Sequence, residues 1–392
     1  MVERKNSWLP VVALTIAAFV FNSSEAMPIG LMTDIGEGLG VSDSAVGMLV
    51  SGYAWVVAFM SLPLMVAFSK MEYRRLMIGI VTLFMLSHVL SAVSTGYWML
   101  MGSRVGVACA HSIFWAIAPP VAVKVAPEGK GPLAMSMIIT GTSIAQIVGM
   151  PTGRAIGLLL GWRLTFLTIG VIAFLVLMIF LFSFPRIPND MDFSLRDLPS
   201  ILGNRALISI YVTLIIIVTG YFSAYSFIEP FLDRVAGLDK VLVTVALMLF
   251  GFSGIIGSAI FSKKYPSRGR ALVVSSLVAV PLMLLILRPT AGFIGALVPV
   301  LLVWGIANTL FNLVFQAELM RIETRATTIA MALYSGLYNV GIATGSFLGG
   351  VINDSVGLPY ISLFGAAICF ISLLYGVFRM LPLLHLCRRL PL

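Results

Sequence analysis

Three ionisable side chains, Glu25, Arg104 and His111, lie inside apolar runs long enough to cross a lipid bilayer. At that depth such groups are costly, and they face a bundle interior or a water path. Glu25 lies about 10 Å from the end of its run at 1.5 Å per residue, and Arg104 is at nearly the same depth in its own. Burial favours the neutral carboxyl and a nearby guanidinium favours the charged one. A carboxylate whose surroundings change can therefore load a proton and later release it. The competing reading makes Glu25 a structural ion pair or polar glue between helices, and Arg104 its anchor. His111 continues a stripe with Ala108 and Trp115 and offers two ring nitrogens that relay a proton or bind a hydroxyl. A histidine satisfied by a neighbouring serine or carbonyl is the plainer alternative. His88 has no companion stripe and reads as structural, and His385 falls in the tail.

A second group of residues could hydrogen-bond a solute. Asn22 precedes Glu25 by three residues and shares its face. Tyr221, Tyr225 and Glu229 recur every four residues, as do Asn308, Asn312 and Gln316; Tyr338, Asn339, Tyr53 and Trp55 add phenols, an amide and an indole. Three amides on one helical face are hard to leave in lipid, so that face must be buried or wet. The competing use is interhelical hydrogen bonding, worth only about 0.6 kcal/mol on average in membranes. Glu318, close to Arg321, reads as a gate or a surface pair. No Ser/His/Asp, metal or phosphate-loop constellation is present, so neither an enzyme, a metal nor a cofactor is expected. Cys109, Cys369 and Cys387 have no metal-like spacing and read as small core residues.

The elements that must hold these groups follow from composition. Of 392 residues, 59% are apolar even without the 36 glycines, and only 10% are charged. Those values exclude an ordinary soluble protein and a disordered one. Apolar segments fall at 8–31, 45–68, 76–94, 98–123, 133–153 and 163–184, and then at 206–230, 241–262, 271–287, 291–316, 327–352 and 358–378. The expectation is an all-α polytopic membrane protein with twelve transmembrane helices in two six-helix halves, 1–184 and 206–392. A cytoplasmic linker, 185–205, would join them. Strands are excluded by the length of the runs and the lack of alternation. The basic start, with an apolar run and no convincing cleavage site behind it, predicts an uncleaved first span.

Lys and Arg then orient the chain. With the N-terminus cytoplasmic, 19 of the 25 fall on that side, five fall opposite (Arg154, Arg163, Arg234, Lys240 and Arg288), and Arg104 is within a span. The split follows the positive-inside rule and puts both termini in the cytoplasm. It also accounts for the net charge of +9 without a nucleic-acid partner. Weak internal symmetry supports two related halves: Gly141, Gly149, Pro151 and Gly153 in the fifth span answer Gly341, Gly345, Gly349 and Gly350 in the eleventh. Two such halves suit a bundle that rocks between faces, and small residues at these intervals also let helices approach closely.

Several local patterns carry a family resemblance: Phe21-Asn22-Ser23-Ser24-Glu25, Tyr53-Ala54-Trp55, Ser103-Arg104-Val105-Gly106, Ala110-His111-Ser112-Ile113-Phe114-Trp115, and Gly149-Met150-Pro151-Thr152-Gly153-Arg154 followed by Gly161-Trp162-Arg163. Over essentially its whole length the chain resembles the major facilitator superfamily. More closely, it is similar to bacterial sugar efflux transporters of the drug/proton antiporter branch. The superfamily's glycine, aspartate and arginine loop signature stands here as Lys70-Met71-Glu72-Tyr73-Arg74-Arg75, where Glu72 takes the place of the gating aspartate and Arg74 that of a basic partner. The resemblance implies the major facilitator fold in a monomer of the bacterial inner membrane. It also implies proton-coupled export of small sugars or analogues, such as arabinose-like sugars and thiogalactosides. Export of lipophilic or cationic drugs is the alternative, left open by the 21 methionines. On this reading Glu25, Arg104 and His111 couple protons. Asn22, Tyr53, Trp55, His111, Trp115, Tyr221, Tyr225, Glu229, Asn308, Asn312, Gln316, Tyr338 and Asn339 bind substrate. Glu72, Arg74, Gly149, Pro151, Gly153 and Arg154 gate or brace the bundle.

Overall fold

A computed structural model describes residues 7–68, 70–188, 198–324 and 327–389. Among them the chain is helical and has no strand. A lipid-immersed backbone must satisfy its own polar groups, and a helix does so within one segment. In the N-terminal part run α1 (Leu9–Gly30), α2 (Met32–Leu39), α3 (Asp43–Phe68), α4 (Tyr73–Ala92), α5 (Tyr97–Val125), α6 (Gly131–Ile144), α7 (Met150–Leu160) and α8 (Trp162–Ser183). The rest comprises α9 (Leu198–Gly203), α10 (Arg205–Tyr225), α11 (Ile228–Pro230), α12 (Lys240–Thr290), α13 (Ile294–Ile322), α14 (Thr327–Ser355), α15 (Ile361–Tyr375) and α16 (Leu381–Arg389). Ten helices among the described residues are long and apolar enough to cross a membrane. Large apolar side chains stand on the surface, Phe182 at 87% and Trp98 at 80% exposure, as a lipid-facing exterior requires.

Two expected spans, the fifth and the seventh, differ in detail, and two others meet at a kink. The runs 241–262 and 271–287 both fall within α12, which is two helices meeting at a kink at Arg268, where the backbone leaves helical geometry. The fifth span runs from Gly131 to Leu160 and widens into a π turn at Ala145–Gly149. Pro151 is the cause, since it has no N–H to give the carbonyl four residues earlier, that of Ile147 in the middle of the turn. The seventh span does not continue to residue 230. The helix α10 stops at Tyr225, and Ser226 and Phe227 make a turn before α11 and a π turn at Phe231–Val235. Glu229 therefore leaves the every-four register of Tyr221 and Tyr225. Of the basic residues assigned to the cytoplasmic side, Arg4, Lys5, Arg196 and Arg325 lie outside the described residues, as does 189–197 of the expected linker.

The chain divides into two compact units: residues 1–41 with 52–193, and residues 42–51 with 194–392. In the first, α1 packs against the fifth span along a glycine seam. A Cβ on Gly141 would lie 2.7 Å from the Thr15 carbonyl, and Cβ atoms on Gly149, Gly153 and Gly157 would strike Ser23, Met27 and Leu31. In the second, Gly341, Gly345 and Gly349 of α14 meet Val218, Thr219 and Ser223 of α10 in the same manner. Asn204 accepts from the backbone N–H groups of Ala206 and Leu207 to cap α10, and Asp239 does the same for Val241 and Leu242 at the start of α12. The second unit takes in the first turns of α3. There Arg234 donates to both oxygens of Asp43 at 2.6 and 3.3 Å, and Ser44 donates to Asp354 at 2.6 Å.

Candidate functional site

The first unit gathers a polar nest from α1, α3, α4 and α5. Glu25, one turn after half-buried Asn22, keeps 29% of its side chain exposed, and its Oε2 lies 3.9 Å from His111 Nε2. The His111 ring meets Tyr53 edge-on at 5.6 Å between centroids and Trp115 at 5.9 Å. Arg104 is fully buried, with its guanidinium carbon 4.6 Å from the centre of the Tyr53 ring. Its Nη1 donates to Ser24 Oγ at 3.3 Å, and that oxygen lies 2.9 Å from His88 Nε2. A buried guanidinium on an aromatic face recovers in cation–π attraction part of what it loses in hydration. Arg104 Nε and Nη2, Tyr53 Oη and His111 Nδ1 are buried without a hydrogen-bond partner.

The expected pairing is therefore rearranged. The ionisable side chain nearest the Glu25 carboxylate is His111, while Arg104 is bound to Ser24. Aromatic packing positions the nest: Phe21 of α1 stacks between Phe84 and Phe114 at 3.8 and 4.2 Å between centroids. Trp55 stacks instead on Phe59 at 5.2 Å, and residues two apart on a helix do not face each other, so it stands off the face that carries Tyr53. Glu72 pairs with Arg75 at 3.6 Å, and Arg74 donates to the Leu181 carbonyl at 2.7 Å. Buried Arg154 donates to the Gly30 carbonyl at 2.7 Å and lies 3.9 Å from Asp34, which ties the end of the fifth span to the end of α1.

The second unit holds an uncharged stripe. Asn312 Oδ1 accepts from Gln316 Nε2 at 2.7 Å and from Tyr334 Oη at 3.0 Å. Asn308, one turn earlier on α13, has a buried Oδ1 without a partner, and the Trp304 indole N–H one turn before that is likewise unpartnered. Tyr221 and Tyr225 stack at 5.0 Å and pack on Trp304 at 5.4 and 6.1 Å, and Phe250 contacts both Trp304, at 5.2 Å, and Tyr225, at 5.3 Å. Tyr338 faces Phe311 at 6.4 Å. Asn339 uses its amide N–H on the Ser335 carbonyl of its own helix and leaves Oδ1 unpartnered. Glu229 is 1% exposed, off the Tyr221 and Tyr225 register. Glu318 accepts from Arg321 at 2.7 Å and from Tyr265 at 3.2 Å.

Three residues in these clusters, Trp304, Tyr334 and Ser24, are not singled out in the sequence as site candidates, and a fourth, His88, reads there as structural. Trp304 and Tyr334 lie one helical turn from flagged residues, Asn308 and Tyr338, so extending either register by four finds them. Ser24 sits beside Glu25 in sequence, but a lone buried serine carries no signal. His88 was set aside for lack of companions on its own helix; its companions come from α1 and α8, where Ser24 bonds it and Phe166 stacks at 5.9 Å.

Chemically, the first nest places a solvent-reachable carboxylate beside a closed-off imidazole and a buried cation. The second offers amides, phenols and an indole with unused hydrogen-bonding atoms. Proton exchange and recognition of an uncharged solute are what these sets can do; the apolar bundle around them is that of a multi-pass membrane protein. The Major Facilitator Superfamily profile matches residues 14–328, and the chain belongs to that family of transporters. Among solved structures it is similar to a bacterial homologue of the human lysosomal transporter Spinster, in an inward-facing and unoccupied conformation. The two share 15% identity and a TM-score of 0.72, over 97% of this chain and 96% of that one. It is also similar to the nucleoside transporter NupG, at 14% identity and a TM-score of 0.72, over 96% of this chain and 99% of that one.

Proposed function

We propose that the chain is a proton-coupled sugar efflux transporter of the bacterial inner membrane, close to the sugar exporters of the drug/proton antiporter branch. Counting α12 as two spans and adding α14 to the ten apolar helices makes twelve. The distribution of Lys and Arg then puts both termini in the cytoplasm. Glu25 carries the proton, with His111 as its immediate partner and Arg104 as the buried cation that biases it. Asn22, Tyr53 and Trp115 line the same nest. Asn308, Asn312, Gln316, Tyr338 and Asn339 bind hydroxyls, and Tyr221 and Tyr225 stack on the apolar face of the sugar.

The observation that carries this reading is the contrast between the clusters: the ionisable groups are concentrated around Glu25, and the α13 stripe is uncharged from Trp304 to Gln316. A neutral, hydroxylated solute matches amides and phenols, whereas a cation would call for an acid among them. The aromatic group formed by Tyr221, Tyr225, Phe250 and Trp304 favours a second reading, export of lipophilic or aromatic compounds. A nucleoside combines both features. The test is a proteoliposome assay with an imposed pH gradient and a panel of arabinose, a thiogalactoside, a nucleoside and a cationic dye. Gradient-driven, saturable movement of the sugars supports the first reading. Saturable dye export untouched by sugars would replace it with the second.

A further inference from the structure

The Arg104 guanidinium is the strongest permanent charge near Glu25, yet its hydrogen bond goes to the neighbouring residue. Ser24 and Glu25 are consecutive on α1, so their side chains leave the helix about 100° apart. Nη1 of Arg104 donates to Ser24 Oγ at 3.3 Å. A serine hydroxyl has one proton to give, and His88 Nε2, 2.9 Å away, is placed to accept it. His88 is itself fixed, wholly buried with its ring edge-on to Phe84 at 4.5 Å and stacked on Phe166 at 5.9 Å. Arg104, Ser24 and His88 thus form one buried chain across α5, α1 and α4, ending beside the carboxylate.

We propose that Ser24 and His88 tether the Arg104 guanidinium and hold it off the Glu25 carboxylate, which makes both of them positioning residues for the proton step. This rests on Glu25 being the proton carrier. A guanidinium in direct contact would hold the carboxylate in its charged form. Kept on Ser24 and over the Tyr53 ring, it leaves Glu25 to meet His111 and to take a proton. Two other charged side chains on the elements packed around α1 are engaged elsewhere. Arg154 of α7 bonds the Gly30 carbonyl, and Arg163 of α8 bonds the Ser94 carbonyl; α6 and the π turn after it carry none. His111 and Arg104 of α5, Tyr53 of α3 and His88 of α4 are then the groups that face the carboxylate and its tether.

The experiment follows the protonation of Glu25 without requiring a substrate. The full chain is reconstituted in proteoliposomes and treated with dicyclohexylcarbodiimide, which modifies protonated buried carboxyls. Labelling of the Glu25 peptide is read by mass spectrometry as a function of pH, with Glu25→Gln as the blank. Ser24→Ala and His88→Leu release the guanidinium towards the carboxylate, so the labelling midpoint moves to lower pH by about one unit, a tenfold change in proton activity. His88→Gln supplies a carboxamide oxygen to accept from Ser24 and restores the midpoint. Ser24→Ala removes a single hydroxyl, so the question stays answerable even if His88→Leu does not fold. A wild-type midpoint that neither Ser24→Ala nor His88→Leu lowers overturns the tether and leaves the role of Glu25 standing. Labelling of Glu25 that is flat between about pH 5 and 9 overturns the proton-carrier reading and the tether with it.

Discussion

Glu25 Oε2 and His111 Nε2 lie 3.9 Å apart, and only the carboxylate of the two is open to its surroundings, at 29% against 8% exposure. That asymmetry gives the pair an order of events. On the proposed reading, a proton arriving by a water path would meet the carboxylate first and the imidazole behind it second. On the same reading Arg104, a guanidinium that holds its charge, would bias the carboxylate without exchanging a proton itself.

Replacing Glu25 by Gln keeps the shape and removes the charge. We expect the variant to insert, fold and retain most of its affinity for the transported solute, while gradient-driven movement in proteoliposomes is lost. Efflux that still follows an imposed pH gradient in Glu25→Gln would assign the proton to another group.

Asn312 is the hub of the amide stripe, because its single Oδ1 accepts from both Gln316 and Tyr334. In Asn312→Ala the tyrosine hydroxyl and the glutamine amide lose that shared acceptor, and each has to be satisfied elsewhere. The expected loss in solute affinity is about tenfold, on the scale of one neutral hydrogen bond with its geometry. Equilibrium binding measured by calorimetry in detergent checks it, and an unaltered affinity would make the hub a purely interhelical device.

Much of this arrangement was legible before any coordinates. Long apolar runs and the distribution of Lys and Arg fall directly out of bilayer physics, which is why the helices lie where the hydropathy puts them. The glycines at 141, 149, 153 and at 341, 345, 349 could be read as seams because only close approach explains such spacing in lipid. What stayed hidden was lateral. The partner of Arg104 is a serine 80 positions away that no periodicity marks, and His88 looked isolated because its contacts come from other helices. The register drawn through Glu229 fails for a different reason. A register of four extrapolates only while the helix lasts, and α10 ends at Tyr225.

The glycine seam of the first unit should be the most sensitive place for added bulk. A Cβ on Gly153 would overlap the Met27 side chain, and one on Gly149 that of Ser23. Gly149→Leu and Gly153→Leu therefore force α1 and the fifth span apart, at a cost of about 1–3 kcal/mol for overpacking. A fall in the thermal midpoint of both variants, read by fluorescence in detergent, is the expected result. Gly102→Leu, inside α5 at a position with open space, serves as the control, with no fall expected.

Asp43 and Arg234 provide a test of geometry within the second unit. Arg234 grips both carboxylate oxygens, but it is 47% exposed against 8% for Asp43, so the cost of losing one partner is unequal. Removing the arginine leaves a nearly buried carboxylate unpaired, whereas removing the aspartate leaves a cation that water can reach. Arg234→Ala should accordingly destabilise more than Asp43→Asn, with a coupling of about 0.5–1 kcal/mol after solvent screening. The double variant Asp43→Asn with Arg234→Ala should recover much of the loss of Arg234→Ala alone, since no buried charge remains. Thermal midpoints of the four proteins, measured at low and high salt, decide the matter. Strict additivity, with no recovery in the double variant, would show that the pair contributes nothing beyond its separate side chains.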